Sequence, residues 1–132
     1  MGQGDPDRAA RIFLRVTALF FLVVFALPLL LHPYGWARAF GWRKEPDTDV
    51  GLYFGRCLGA VATAVMVNAL MASREPAKHR GLFFMLEVGC WLLSLVHVRG
   101  LVERRQPPVE HAEIVGYALA AIAARKLRPP LS

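Results

Sequence analysis

The chain lacks the features that divide or loosen a sequence. It has no glycine- and serine-rich linker, no repeat and no low-complexity tract, so we expect a single domain over residues 1–132. Charged residues are scarce at 20%, whereas 55% of the residues are hydrophobic. This content is too apolar for a disordered chain and too apolar for a lone soluble domain of this length. The composition therefore predicts a membrane protein.

Acidic residues are also scarce: 16 Lys and Arg stand against 10 Asp and Glu, which gives a net charge of +6. An excess of this sign raises nucleic acid as a partner only where the cations form a basic patch on a soluble face. Here the cations fall in short clusters between long apolar runs. We therefore expect a lipid bilayer around the chain and no nucleic acid bound to it.

Four apolar runs account for most of the sequence. A membrane span needs about 20 mainly apolar residues, and the runs cover residues 12–31, 50–72, 81–100 and 109–125. Most prolines fall between the runs, where helices end or begin, whereas Pro28 lies inside the first run and predicts a kink. The sequence predicts an all-α fold, an integral membrane four-helix bundle.

The distribution of cations predicts an orientation. Nine Lys and Arg residues flank the first run, fill the second loop and follow the fourth run, and six lie in the first and third loops. By the positive-inside rule, both termini are expected in the cytoplasm. An alternative is that the first run is a signal peptide, with Ala37-Arg38-Ala39 as a small-x-small cleavage site.

The first loop, residues 32–49, is rich in aromatic side chains. Aromatic rings favour the headgroup layer of a bilayer, so this loop predicts a short interfacial helix or turn that anchors the protein. The alternative is a lip that admits a lipid or another amphiphile. The expected anchors are Tyr34, Trp36, Phe40 and Trp42.

Small residues recur every four positions on the second and fourth runs. Such strips let two membrane helices approach closely, either within the chain or between two copies. The strips are Gly51, Gly55 and Gly59 on the second run and Gly116 and Ala120 on the fourth.

Ionisable and polar residues at membrane depth are costly unless they are paired or face a cavity. Folding neighbouring runs back as antiparallel hairpins places His97 close to Glu113 and brings both toward the end of the bundle that holds Arg56. We expect Glu113 to neutralise Arg56 or Arg99 there, with an Arg56–Glu113 polar contact as the favoured pair and His97 as a hydrogen-bonding neighbour. The alternatives are a pocket for a lipid or small molecule, and acid–base chemistry by His97 or Glu87. The candidate ligand-binding residues are Arg56, Glu87, Ser94, His97, Arg99 and Glu113.

Metal and cofactor motifs are absent from the sequence. The four histidines are spread one per segment, and no His-x-x-His, Glu-x-x-His or Cys-x-x-Cys pair occurs. No glycine loop is followed by the Lys and Ser or Thr that cradle phosphate. We expect no metal, no cofactor and no catalytic residue, with Cys57 and Cys90 as reduced packing residues.

The sequence resembles small bacterial four-span proteins of the DoxX-like kind. The resemblance is carried by the glycine-rich segment 52–60, by His97-Val-Arg99-Gly100 late in the third run and by Glu113 early in the fourth. A fainter similarity to the ergosterol-biosynthesis scaffold family involves Arg56 and His97. These resemblances imply an accessory or scaffold protein of the bacterial inner membrane that packs against a partner membrane protein or a second copy, more readily than an enzyme.

Overall fold

The computed structural model describes residues 6–42 and 47–130, so residues 43–46 of the predicted loop 32–49 lie outside it. The described part is helical and contains no strand. This confirms the all-α prediction. The helices are α1 (Pro6–Phe21), α2 (Leu27–Leu31), α3 (Pro33–Ala39), α4 (Asp49–Ala72), α5 (Arg80–Val102) and α6 (His111–Leu127).

Three helical stretches in the described part are long and apolar enough to cross a membrane: Asp7–Leu31, Asp49–Ala72 and Arg80–Val102. They indicate an integral membrane protein. The predicted fourth run is helical as α6, but its 17 residues extend only about 25 Å, less than the roughly 30 Å of a bilayer core. The structure therefore does not confirm the predicted fourth membrane span.

The chain forms two compact units. One is Leu14–Met71, and the other combines Ala72–Ser132 with Met1–Phe13. We call them the glycine-strip unit and the hairpin unit, after the features described next.

In the glycine-strip unit, the glycines of α4 lie against α2 and the start of α3. A side chain on Gly59 would meet the backbone of Leu29 and Leu30, with the Leu30 Cα at 2.7 Å, and one on Gly55 would meet Pro33 at 2.5 Å. Only a residue without a Cβ permits this approach, which is how small residues bring membrane helices together. The strip on α4 is thus used for packing inside the chain.

The first helical stretch changes geometry just before its proline. Residues Leu22–Ala26 form a π-helical turn between α1 and α2. Pro28 has no N–H to give to the carbonyl of Val24, and its ring crowds that carbonyl in regular α-helical geometry. The indole Nε1–H of Trp36 donates to the Val24 oxygen at 2.8 Å, so a side chain from the next helix satisfies the backbone group that proline leaves open.

The aromatic segment after α2 is held by contacts within its own unit. Trp36 stacks on Phe40 with ring centroids 4.8 Å apart and meets Phe25 edge-on at 5.2 Å. The Tyr34 hydroxyl donates to the Thr48 carbonyl and accepts from the Thr48 N–H, both at 2.7 Å. Tyr34, Trp36 and Phe40 therefore have partners within this unit, and Trp42 also makes an internal contact although it is exposed.

In the hairpin unit, α5 and α6 run antiparallel and pack along their length. The buried face of α5 includes Phe83, which stacks on Phe13 with centroids 6.2 Å apart. The buried face of α6 is Tyr117, Ala121 and Ala124. The predicted packing strip on α6 is not this face, because a side chain on Gly116 would meet nothing within 4 Å and Ala120 is only half-buried.

The two glycines give a matched test of the packing. Gly59→Ala should destabilise the protein by about 2 kcal/mol, because the added carbon meets backbone that cannot move aside easily. Gly116→Ala should instead stabilise it by about 0.5–1 kcal/mol through helix propensity alone. Thermal unfolding of both variants in the same detergent measures the difference, and equal midpoints would contradict the close approach at Gly59.

The indole hydrogen bond can be tested separately. Trp36→Phe keeps an aromatic ring but removes the N–H, which leaves the Val24 carbonyl open and should cost about 2 kcal/mol. Trp91→Phe on the exposed side of α5 is the control and should change stability little. A Trp36→Phe variant that unfolds at the wild-type temperature would rule out a structural role for the bond.

Candidate functional site

A polar stripe runs along α5 on the face turned toward α6. Glu87, Cys90, Ser94 and His97 are spaced by three and four residues, so they share one side of the helix. Ser94 donates from its hydroxyl to the carbonyl of Ile114 at 3.0 Å. The stripe therefore meets α6 directly, and its polar groups are used to join the two helices.

The stripe ends in a cluster of one imidazole and two carboxylates, which we call the His97 cluster: His97, Glu110 and Glu113. The Nε2 atom of His97 lies 3.0 Å from Glu110 Oε2 and 3.1 Å from Glu113 Oε2. The side chains of His97 and Glu110 are only 13% and 3% exposed, and that of Glu113 is 24% exposed. The hairpin register predicted that His97 lies close to Glu113, and the structure confirms this contact.

The other ring nitrogen fixes the orientation of the imidazole. His97 Nδ1 lies 2.8 Å from the carbonyl oxygen of Leu93, one turn earlier on α5. A carbonyl only accepts, so Nδ1 carries the hydrogen and donates it. The ring of Tyr117 lies beside the imidazole, with centroids 5.2 Å apart. Nε2 is therefore held facing the two carboxylates.

One nitrogen cannot satisfy both carboxylates. An imidazole Nε2 takes part in at most one hydrogen bond, and its hydrogen-bond partner here is Glu110. Glu113 Oε2 is buried and receives no hydrogen bond among the described residues. The His97 cluster thus holds two carboxylates, one imidazole and one buried oxygen whose bonding is incomplete.

Glu87 lies at the opposite end of the stripe, with a different partner. Its carboxylate is 3.1 Å from the guanidinium of Arg128, and both side chains are largely buried. The same guanidinium lies over the Phe84 ring, 5.6 Å from its centre. Nearby, Arg80 donates to the carbonyl of Pro129. Glu87 and His97 thus have different partners, at separate ends of the hairpin.

The two predicted arginines, like Glu87 and Ser94, are not part of the His97 cluster. Arg99 is 81% exposed and forms an ion pair with Glu103 at 2.8 Å, and its guanidinium holds the pKa of the Glu103 carboxyl below the usual range. Arg56 lies on α4, in the other unit, and is exposed. The expected Arg56–Glu113 pair joins different units and stays a prediction, while within its own unit Glu113 faces His97.

Sequence reasoning missed Glu110, the most deeply buried member of the cluster. It lies on a 3₁₀ turn, Pro108–Glu110, just before α6. An acidic residue at the start of an apolar run is typical of a solvent-exposed boundary, so its position there does not single it out. A signal was available, because Glu110 and Glu113 are three residues apart and the hairpin register places both near His97. The register alone does not show which of the two faces inward.

Comparison with protein-family models, with curated proteins and with solved structures gives no match to this chain. The resemblance to DoxX-like proteins and to the ergosterol-biosynthesis scaffold family therefore stays a prediction. The class of protein that the fold defines is a helical integral membrane protein.

The two arginine pairs on α5 predict unequal costs. Arg128→Gln should destabilise the protein by about 2 kcal/mol, because the largely buried Glu87 carboxylate loses the cation that lies 3.1 Å from it. Arg99→Gln removes an exposed pair and should cost less than about 1 kcal/mol. Unfolding of the two variants in one detergent compares them, and an equal loss would mean that burial does not strengthen the Glu87–Arg128 pair.

Proposed function

We propose that this chain is a small accessory protein that packs against a partner membrane protein through α4. The observation that carries the proposal is the position of Arg56, a charged residue exposed on a helix that is apolar enough to cross a membrane. No carboxylate of its own described unit, residues 14–42 and 47–71, lies within ion-pair distance of it.

The cost of an unpaired arginine favours a partner. Arg56 is seven residues from the start of α4, or about 10 Å along the axis, and in this proposal it lies inside the apolar part of the bilayer. A charged side chain within a span costs a few kcal/mol unless it pairs or faces water. A carboxylate on a neighbouring protein would remove this cost and would also select the partner.

A different protein fits this role better than a second copy of the chain. Among the described residues, the one carboxylate in the middle of a candidate span is Glu87, and it already faces Arg128. In a second copy, Glu110 and Glu113 of α6 and the turn before it already face His97. We therefore expect the partner to carry an Asp or Glu within one of its own spans.

The surroundings of Arg56 suit helix packing. Ala60 lies one turn further along the same side and is exposed, and exposed apolar side chains cover other parts of α4. In this proposal α6 adds a fourth span, the helices form a four-helix bundle in a bacterial inner membrane, and both termini are cytoplasmic. The charge distribution of the sequence supports that orientation.

The alternative, a pocket for a lipid or small molecule lined by the α5 stripe, has less support. Ser94 is hydrogen-bonded to the backbone of α6 and Glu87 is paired with Arg128. Those two side chains are engaged by the chain itself, so they are poor candidates for ligand contacts.

Photo-cross-linking in native membranes tests the partner proposal. A photoreactive amino acid at position 60 should give a discrete protein adduct, because the site is beside Arg56. The same group at Leu58, on the opposite side of α4, is the control and should not give that adduct. Mass spectrometry of the adduct identifies the partner.

The role of charge is tested in the same assay. Arg56→Leu should reduce the adduct at position 60 about tenfold or more, as expected for loss of a desolvated charge pair, whereas Arg99→Leu should leave it unchanged. An adduct with lipid only, or an adduct that survives Arg56→Leu, would count against the proposal. An adduct of exactly twice the chain mass would identify a second copy instead.

A further inference from the structure

The geometry points to a binding site for a divalent first-row transition-metal ion at His97, Glu110 and Glu113. This inference concerns the hairpin unit and does not depend on the partner of α4. Each residue offers one ligand atom, and the three atoms all lie within 4.8 Å of one another. The three residues come from the end of α5, the 3₁₀ turn and the first turn of α6.

The imidazole is oriented as a metal ligand requires. A histidine that binds a metal through one nitrogen usually donates its other N–H to a carbonyl or carboxylate, which fixes the tautomer and the ring. In His97 the Nδ1–H is donated to the Leu93 carbonyl at 2.8 Å. Nε2, the remaining nitrogen, faces both carboxylates.

The spacing of the ligand atoms is close to that of a coordination shell. With metal–ligand bonds of about 2.0–2.2 Å, two ligands of a tetrahedral ion are separated by about 3.3 Å. The distances from Nε2 to the two carboxylate oxygens are 3.0 and 3.1 Å. An ion would widen these two separations by a few tenths of an ångström, and all three ligand atoms already lie within 4.8 Å of one another.

A divalent ion would also resolve the charge and bonding of the cluster. In the deprotonated form that binds a metal, two carboxylates and a neutral imidazole carry a charge of −2, which a divalent ion neutralises. Glu113 Oε2, buried and without a hydrogen bond in the described part, would become a ligand. Since removing carboxylates from water is costly, this neutralisation favours the loaded site.

The donor set selects the kind of ion. Calcium and magnesium prefer oxygen ligands, whereas imidazole suits zinc, iron, copper and nickel. The group contains no thiolate, since Cys90 lies two turns earlier on α5 and is not one of the three ligands. One nitrogen and two oxygens fit Zn²⁺ and leave a fourth position for water or another ligand.

Metal binding is tested on the full chain in detergent after treatment with a chelator. Titration with Zn²⁺ against a chromophoric competitor should show one ion bound per chain. Cobalt(II) substitution should give visible d–d bands without a thiolate charge-transfer band, which reports nitrogen and oxygen ligands. Failure of the wild-type protein to bind Zn²⁺ or Co²⁺ would overturn the assignment.

Variants then identify the ligands. Glu113→Gln keeps the shape of the side chain and should weaken Zn²⁺ binding by about 100-fold. Loss of a residue that only hydrogen-bonds to a metal ligand already costs up to about 100-fold, and Glu113 would bind the metal directly. His97→Ala should weaken Zn²⁺ binding at least as much. Circular dichroism confirms that each variant is folded, and the cobalt spectrum of the wild type stays decisive if one of them is not.

Matched controls separate this site from adventitious binding. Glu103→Gln and His32→Ala remove an exposed carboxylate and an exposed imidazole outside the cluster, and both should bind Zn²⁺ with wild-type affinity. Equal losses in the controls and in Glu113→Gln would mean that surface groups hold the ion. Binding that persists in Glu113→Gln and His97→Ala together would also refute the site.

Discussion

The need to satisfy every polar group inside an apolar solvent governs this structure. A bilayer offers no water to a stray carbonyl or carboxylate, so each must find a partner in the protein. Pro28 leaves the Val24 carbonyl without its helical N–H donor, and the indole N–H of Trp36 donates to that carbonyl instead. The Ser94 hydroxyl reaches the backbone of α6. Many of the contacts that hold each unit together supply hydrogen-bond partners of this kind.

The His97 cluster is one of the places where the requirement is met incompletely, since buried Arg11 Nε, Glu87 Oε2 and Gln106 Nε2 also lack a hydrogen-bond partner among the described residues. His97 divides its two nitrogens between the Leu93 carbonyl and Glu110, and the second carboxylate oxygen, on Glu113, receives no hydrogen bond in the described part of the chain. Elsewhere on α5 the acids have dedicated cations, as Glu87 has Arg128. The two ends of the hairpin differ in charge balance, because Glu87 has a guanidinium at 3.1 Å whereas Glu110 and Glu113 share one imidazole.

The sequence was sufficient for what depends on hydropathy and periodicity. The apolar runs marked α4 and α5 to within a few residues, the four-residue spacing marked the glycines of α4 as a packing strip, and the hairpin register brought His97 to Glu113. The sequence was insufficient where the orientation of a single side chain determines its contacts. The inward turn of Glu110, the pairing of Arg99 with Glu103 and the open space beside Gly116 depend on the rotation of α5 and α6 about their axes, which periodicity does not fix.

The Glu87–Arg128 pair has a consequence for how the protein enters the membrane. Glu87 emerges from the ribosome in the middle of α5, long before Arg128, which follows α6. Until Arg128 arrives, α5 carries an uncompensated carboxylate that opposes partition into lipid. Burial of Glu87 together with its cation therefore requires the chain to be complete through Arg128, the residue that follows α6. In this chain the order of synthesis and the order of burial are linked through one ion pair.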